Sequence, residues 1–199
     1  MRRSVPLHYT DYGYGLHEVK LAFQDTLFRW IPYFKDFALS WDNIPDGRDW
    51  QFEFANDAFA YHCALAAMLF VALDIRDERH DHHQTRQMVS LWRRAADLVL
   101  RGDYYPLLPG DRSVRGWVLR QFDLPEEGRG FVQAIRHRDC PEPEKTIALR
   151  TIAPDAQYRL DDPETRRSFQ ISGEDLLHLG ITFSLPPRGA AIWFYERVE

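Results

Sequence analysis

The chain has 199 residues, with hydrophobic residues at 45%, charged residues at 28% and a formal net charge of −5. That balance suits one or two globular domains with a real core, and it excludes a basic nucleic-acid binder and a low-hydropathy disordered chain. Six Trp, nine Tyr and thirteen Phe suit either a large core or a sugar site, where flat apolar rings meet hydroxyls. The two cysteines, Cys63 and Cys140, are far apart and have no CxxC spacing. They indicate no disulfide framework or zinc site, and a reduced, cytoplasmic setting is expected. No cofactor and no nucleic-acid or membrane partner is indicated. The longest apolar run, Ala64 to Leu73, is too short to span a bilayer.

The first half, to about Pro106, alternates strand-like and helix-like segments. Ser4 to Tyr12 is short and followed by Gly13 and Gly15, which predicts a strand ending in a loop. From Leu16 a helix is expected, its buried face formed by Leu16, Val19, Phe23 and Leu27. Trp30 to Trp41 reads as a second strand with its loop, and Asn43 to Phe54 as a polar excursion. Asn56 or Asp57 caps a short Ala-rich helix. The run Met68 to Asp74 is continuously apolar, as expected of a parallel strand covered on both faces. Gln84 to Arg101 is the clearest helix, with a stripe of Met88, Leu91, Trp92, Ala95, Leu98 and Val99, and Gly102 stops it. The pattern is a succession of βα units.

After Pro109 the period changes. The segments 116–124, 130–137, 146–152, 156–161, 181–185 and 190–198 are short and β-rich, separated by Pro- and Gly-bearing turns. Ile181, Phe183 and Leu185 alternate with polar residues, marking a strand with one wet face. Residues 190–195 are apolar on both faces and predict a central strand. Such strands indicate an antiparallel sandwich.

Three stretches in order carry a family resemblance: Arg3-Ser-Val-Pro-Leu-His-Tyr-Thr-Asp-Tyr12, then residues 57–74, then Gly102-Asp-Tyr-Tyr-Pro-Leu107 with residues 117–133. Together they resemble glycoside hydrolases of the α-galactosidase clan, nearest to family thirty-six. The resemblance implies the last three βα units of a (β/α)8 TIM barrel over residues 1–106, followed by an antiparallel β-sandwich domain over 107–199. Half a barrel cannot close, so the chain is expected to be a C-terminal fragment whose earlier strands lie on other sequence.

Retaining glycosidases use two carboxyl groups roughly 5 Å apart, one as nucleophile and one as acid then base. The resemblance makes Asp11 the acid/base, with Tyr9, Tyr12 and Tyr14 around it. Read without the resemblance, Thr-Asp-Tyr-Gly is a turn with Asp11 capping the next helix. The family's nucleophile sits on the fourth strand beside a lysine. The nearest match here, Phe34-Lys-Asp-Phe37, stands in another setting, so the nucleophile is expected to be absent. Trp41 and Asp42, with Tyr12, are candidates for substrate binding, the alternative being a loop-anchoring Trp with an Asx turn. His80-Asp-His-His83 reads as a helix cap rather than a metal site, and His62 as a hydrogen-bonded core residue. Asp103 and Tyr104 are expected to hold the junction between the halves. The expected partner is an α-galactoside-like carbohydrate, with self-association or pairing with the missing barrel portion. The alternative is a non-catalytic carbohydrate-binding or structural module.

Overall fold

The computed structural model describes residues 7–8, 17–31, 34–37, 57–70, 76, 78, 80–108 and 115–198. The first part runs β1 (Leu7–His8), α1 (His17–Trp30), β2 (Phe34–Phe37), α2 (Ala58–Cys63), β3 (Met68–Phe70) and α3 (His82–Arg101). Its strands form a parallel sheet in the order β1-β2-β3, with Leu7 opposite Phe34 and Lys35 opposite Met68. Parallel neighbours need a crossover, and α1 and α2 lie in those crossovers.

Local signals explain the helices. Asp57 accepts from the Ala60 amide and caps α2, and Asp81 accepts from the Gln84 amide and caps α3. Along α3 the buried residues are Met88, Leu91, Ala95, Leu98 and Val99, the expected stripe, and Gly102 is the C-cap. Trp92 is half-buried and donates its indole N–H to the Ala66 carbonyl at 3.0 Å.

The second part holds β4 (Asp103–Leu108), β5 (Trp117–Leu124), β6 (Arg129–Arg136), β7 (Glu144–Ile147), β8 (Gln157–Asp162), β9 (Arg167–Ser172), α4 (Gly173–His178), β10 (Ile181–Ser184) and β11 (Gly189–Val198). Six of these strands form a sheet in the order β4-β5-β6-β11-β8-β9, every pair antiparallel, and β10 pairs with β7 in a second, smaller sheet. The expected central strand is β11, flanked by β6 and β8. The expected one-sided strand is β10, whose burial alternates.

Alternation along β5, β6 and β11 sorts two cores. Phe122, Phe131, Ile192 and Phe194 face the helices with Leu65, Ala95 and Leu98. Leu119, Val132, Trp193 and Tyr195 face the small sheet with Ile181, Phe183 and Leu176. The large sheet is therefore a middle layer, which is why β5 is buried along its whole length. Cys63 and Cys140 are free and buried. Among the described residues, no helix is long and apolar enough to cross a membrane.

Three expectations are corrected. The buried face of α1 is Lys20, Leu21, Gln24, Asp25 and Phe28; of the expected face, Leu27 packs half-buried on the core, Phe23 is 38% exposed, and Leu16 and the Val19 side chain lie outside the described residues. The helix is rotated because its polar groups find buried partners, so apolar spacing mispredicts the face. Met68 and Phe70 are 43% and 41% exposed, so β3 is not covered on both faces. Phe34 and Leu69 point to the helices, while Lys35, Met68 and Phe70 lie on the opposite face, which nothing among the described residues covers. The strand expected at 146–152 is β7 and ends at Ile147, after which Leu149 and Ile152 enter the core from a loop. Finally, β4, β9 and α4 were not anticipated.

Candidate functional site

Parallel pairing in register puts the C-terminal ends of β1, β2 and β3 at one edge of the sheet. In α/β barrels and open α/β sheets, that edge is where chemistry is placed. Asp11 and Tyr12 follow β1 in sequence, and Trp41 and Asp42 follow β2. All four candidate site residues lie outside the described residues, as do Tyr9 and Tyr14.

Behind that edge, on the helix side of the sheet, stands a buried polar network. Lys20 and Gln24 are one turn apart on α1 and so share a face. The Lys20 ammonium lies 2.9 Å from the Asp36 carboxylate, which also accepts from the Gln24 amide. Gln24 donates as well to the Cys63 carbonyl at 2.7 Å. Arg120, on β5, reaches in from the large sheet and donates to Gln24 Oε1 at 2.6 Å and to Gln133 Oε1 at 2.7 Å. Its guanidinium also sits over the Phe28 ring, 5.1 Å from the centroid. Burial pushes the Arg120 guanidinium down from its ordinary value, opposed by Tyr104 and Asp25. An arginine tolerates this because its charge is delocalised and its proton held tightly.

The network continues to His62 and fixes its tautomer. Since Gln133 Oε1 accepts from Arg120, its Nε2 is the donor, directed at His62 Nδ1 at 3.1 Å and the His62 carbonyl at 3.0 Å. His62 Nε2 then carries the hydrogen and donates to Glu164 at 2.6 Å. His62 is thus the hydrogen-bonded core residue expected. Tyr104 donates to the buried Asp25 and ties β4 to α1, as expected for the junction. Burial, with Asp25 beside it, drives the Tyr104 phenol far above its ordinary value.

These groups satisfy one another, so their chemistry is to lock α1 and β2 against the large sheet. Asp36 is fully buried, ion-paired with Lys20 and turned to the helix side of the sheet. Apolar spacing does not report this network, because Lys20, Gln24 and Arg120 are residue types that usually face solvent. The available signal was Arg120-Gln-Phe-Asp123 within an otherwise apolar strand.

The histidine run is also resolved in part. His80 Nε2 lies 2.9 Å from the Thr85 hydroxyl, and its ring meets His82 edge-on at 4.7 Å. Asp81 caps α3, in keeping with the capping role expected of this run. Among the described residues no group of His, Cys, Asp or Glu side chains could hold a metal ion.

The described residues form a parallel βαβαβα segment packed on an antiparallel sheet, with a smaller sheet behind it. No family model and no curated protein sequence matches this chain. Solved structures do. The chain is similar to the galactosidase domain of the α-galactosidase-sucrose kinase AgaSK, with a TM-score of 0.65, 17% identity, and coverage of 92% of this chain and 25% of that one. It is similar to the GH36 α-galactosidase AgaB of Geobacillus stearothermophilus, with a TM-score of 0.60, 19% identity, and coverage of 84% and 22%. It is also similar to AgaA A355E D478A from the same organism, solved with stachyose, with a TM-score of 0.61, 17% identity, and the same coverage of 84% and 22%. The chain therefore has the fold of the C-terminal part of GH36 α-galactosidases, and spans about a quarter or less of the length of the structures it matches. At these identities the likeness is one of fold alone.

Proposed function

We propose that this chain is the acid/base-bearing C-terminal portion of a retaining α-galactosidase-like glycoside hydrolase. The observation that carries the reading is the fold likeness to a galactosidase domain over 92% of the chain. The ordered sequence motifs support it independently. In this reading residues 1–106 belong to a TIM-barrel catalytic domain and residues 107–199 to a β-sandwich domain, in a reduced cytoplasmic setting.

Asp11 is the acid/base, protonating the departing glycosidic oxygen and then taking the proton of the incoming water. Tyr12, Trp41 and Asp42 form the sugar-binding wall, the indole against the apolar face of the ring and the carboxylate on its hydroxyls. The nucleophile lies on sequence outside this chain. Support for that comes from Asp36, the acid of the nearest Lys-Asp match, which is 0% exposed on the helix side of the sheet and so out of reach of a substrate. Without a nucleophile the double displacement cannot run. The face that carries Lys35 and the exposed Met68 and Phe70 is where the remaining barrel strands, or a second copy, would pack.

The test is hydrolysis of a nitrophenyl α-galactoside by this chain and by a version extended upstream through the remaining barrel strands. Turnover by the extended version alone, abolished by Asp11→Asn, is the expected result. Turnover by the short chain, or full activity of the Asp11→Asn variant, would overturn the assignment.

A further inference from the structure

The small sheet has fewer strands than the large one it covers, and it leaves part of the large sheet's face open. β10 pairs only with β7 among the described residues, so its other edge borders a groove of about 560 Å³. The floor is made by Phe169, Ile171, Ala191 and Trp193, from β9 and β11, and the edge of β10 from Gly180 to Leu185 is one wall. The turn joining β8 to β9 closes the far end with Asp162, Glu164 and Thr165.

The groove has the chemistry of a polyol site. Phe169, 39% exposed, meets the Trp193 ring edge-on at 5.0 Å, so an apolar ring face is presented on a rigid support. The Arg167 guanidinium stands 5.9 Å from the Trp193 ring centroid and makes no ion pair among the described residues, leaving its donors for a ligand. Ser184 adds a hydroxyl on the β10 wall. The carboxylates are already committed: Asp162 accepts from the Glu164 amide and from the Thr165 amide and hydroxyl, and Glu164 holds His62. With its acidic groups satisfied, the groove suits a neutral ligand that offers a C–H face and hydroxyls. Its volume falls in the usual range of small-molecule sites.

We propose that this groove is a saccharide-binding site on the β-domain, lined by residues of β8, β9, β10 and β11 and not by those of the parallel sheet. A one- or two-residue stretch of saccharide would lie with its apolar face on Phe169 and its hydroxyls toward Arg167 and Ser184. The choice of a saccharide rests on the glycoside-hydrolase reading above. An extended peptide pairing with β10 is the competing occupant, but β10 has only four residues and is bounded by Gly180 and by Pro186-Pro187, which interrupt a ladder.

The test titrates the chain with raffinose by calorimetry, alongside Phe169→Ala and Arg167→Ala, with melting curves showing that each variant is folded. Saturable binding is expected, weakened at least about tenfold by either change, the scale of one lost aromatic or charge-assisted contact. Both residues are exposed enough for the variants to fold. Binding unchanged in both variants, no binding of raffinose by the parent chain, or binding of a strand-forming peptide in its place would each overturn the proposal. The hydrolysis assay reads the other site, so groove binding with no turnover in the extended enzyme defeats the catalytic reading alone.

Discussion

The Lys20 ammonium and the Asp36 carboxylate, one on α1 and one on β2, meet at 2.9 Å where solvent reaches neither. Removing one partner of such a pair leaves an unpaired buried charge, a cost of about 3–5 kcal/mol. Lys20→Met alone and Asp36→Leu alone are each expected to fall in that range by urea denaturation. The double variant should recover most of the loss, because apolar residues of similar volume replace a buried pair at little cost. A double variant as unstable as the sum of the singles would mean that the two residues act separately.

Tyr104 should matter through Asp25. Replacing it with Phe keeps the ring that packs on Phe28 and Phe122 but removes the donor to a buried carboxylate. A loss of about 1–3 kcal/mol is expected. Denaturation midpoints of Tyr104→Phe and of the Asp25→Asn, Tyr104→Phe pair would measure it, and a midpoint equal to the parent's would count against the bond.

Gly130 has no room for a methyl group. A Cβ there would strike the Tyr195 hydroxyl and the Phe122 carbonyl, and the second is backbone that cannot swing away. Gly130→Ala should destabilise by about 1–3 kcal/mol, the usual scale of overpacking. A lowered melting temperature with unchanged far-ultraviolet dichroism is the expected signature.

Asp123 gives a pH dependence whose sign is fixed. Burial raises its carboxyl above the ordinary 3.8, against the hydrogen bonds that Thr151 and Tyr195 donate to it. The folded chain then holds this proton more tightly than the unfolded chain does. The resulting stability is complete below 3.8 and is lost as pH rises through the raised folded value. Measured against Asp123→Asn, the parent should gain stability as pH falls from neutral towards that window. A difference that stays flat, or moves the other way, would show that the hydrogen bonds outweigh burial.

Met68 and Phe70, 43% and 41% exposed on one face of the parallel sheet, should make the chain associate by itself. Light scattering is expected to show species larger than a monomer, shifting to smaller ones when Met68→Lys and Phe70→Glu are combined. A monodisperse monomer would oppose the half-barrel reading.

Much of the fold was written in local signals. Asp57, the stripe of α3, Gly102, the alternation of β10 and the two-sided apolar run of β11 each act over a few residues, and each predicted its element. What escaped lacks such signals or hides them. β4 carries Pro106 and a register shift, which break the period of a strand. β9 is an edge strand exposed over most of its length, so it shows no apolar repeat. The six-residue α4 begins at a glycine, although Ser172 with Asp175 three residues on was a readable cap. The face of α1 depends on Arg120, 96 residues away, and no local pattern can report a partner so distant. The expected catalytic and sugar-binding residues, Asp11, Tyr12, Trp41 and Asp42, were located by resemblance and by their places after strands, and they lie outside the described residues.

That separation of 96 residues also has a temporal side. A ribosome adding about 5–20 residues each second would release Gln24 roughly 5–20 s before Arg120. For that interval α1 carries a face of Lys20, Gln24 and Asp25 with no arginine to meet it, and the aromatic cluster around Phe28 lacks Phe122. The early helices must therefore wait, unfinished, for the strand that completes them. The newborn chain is most in need of a chaperone before β5 emerges from the tunnel.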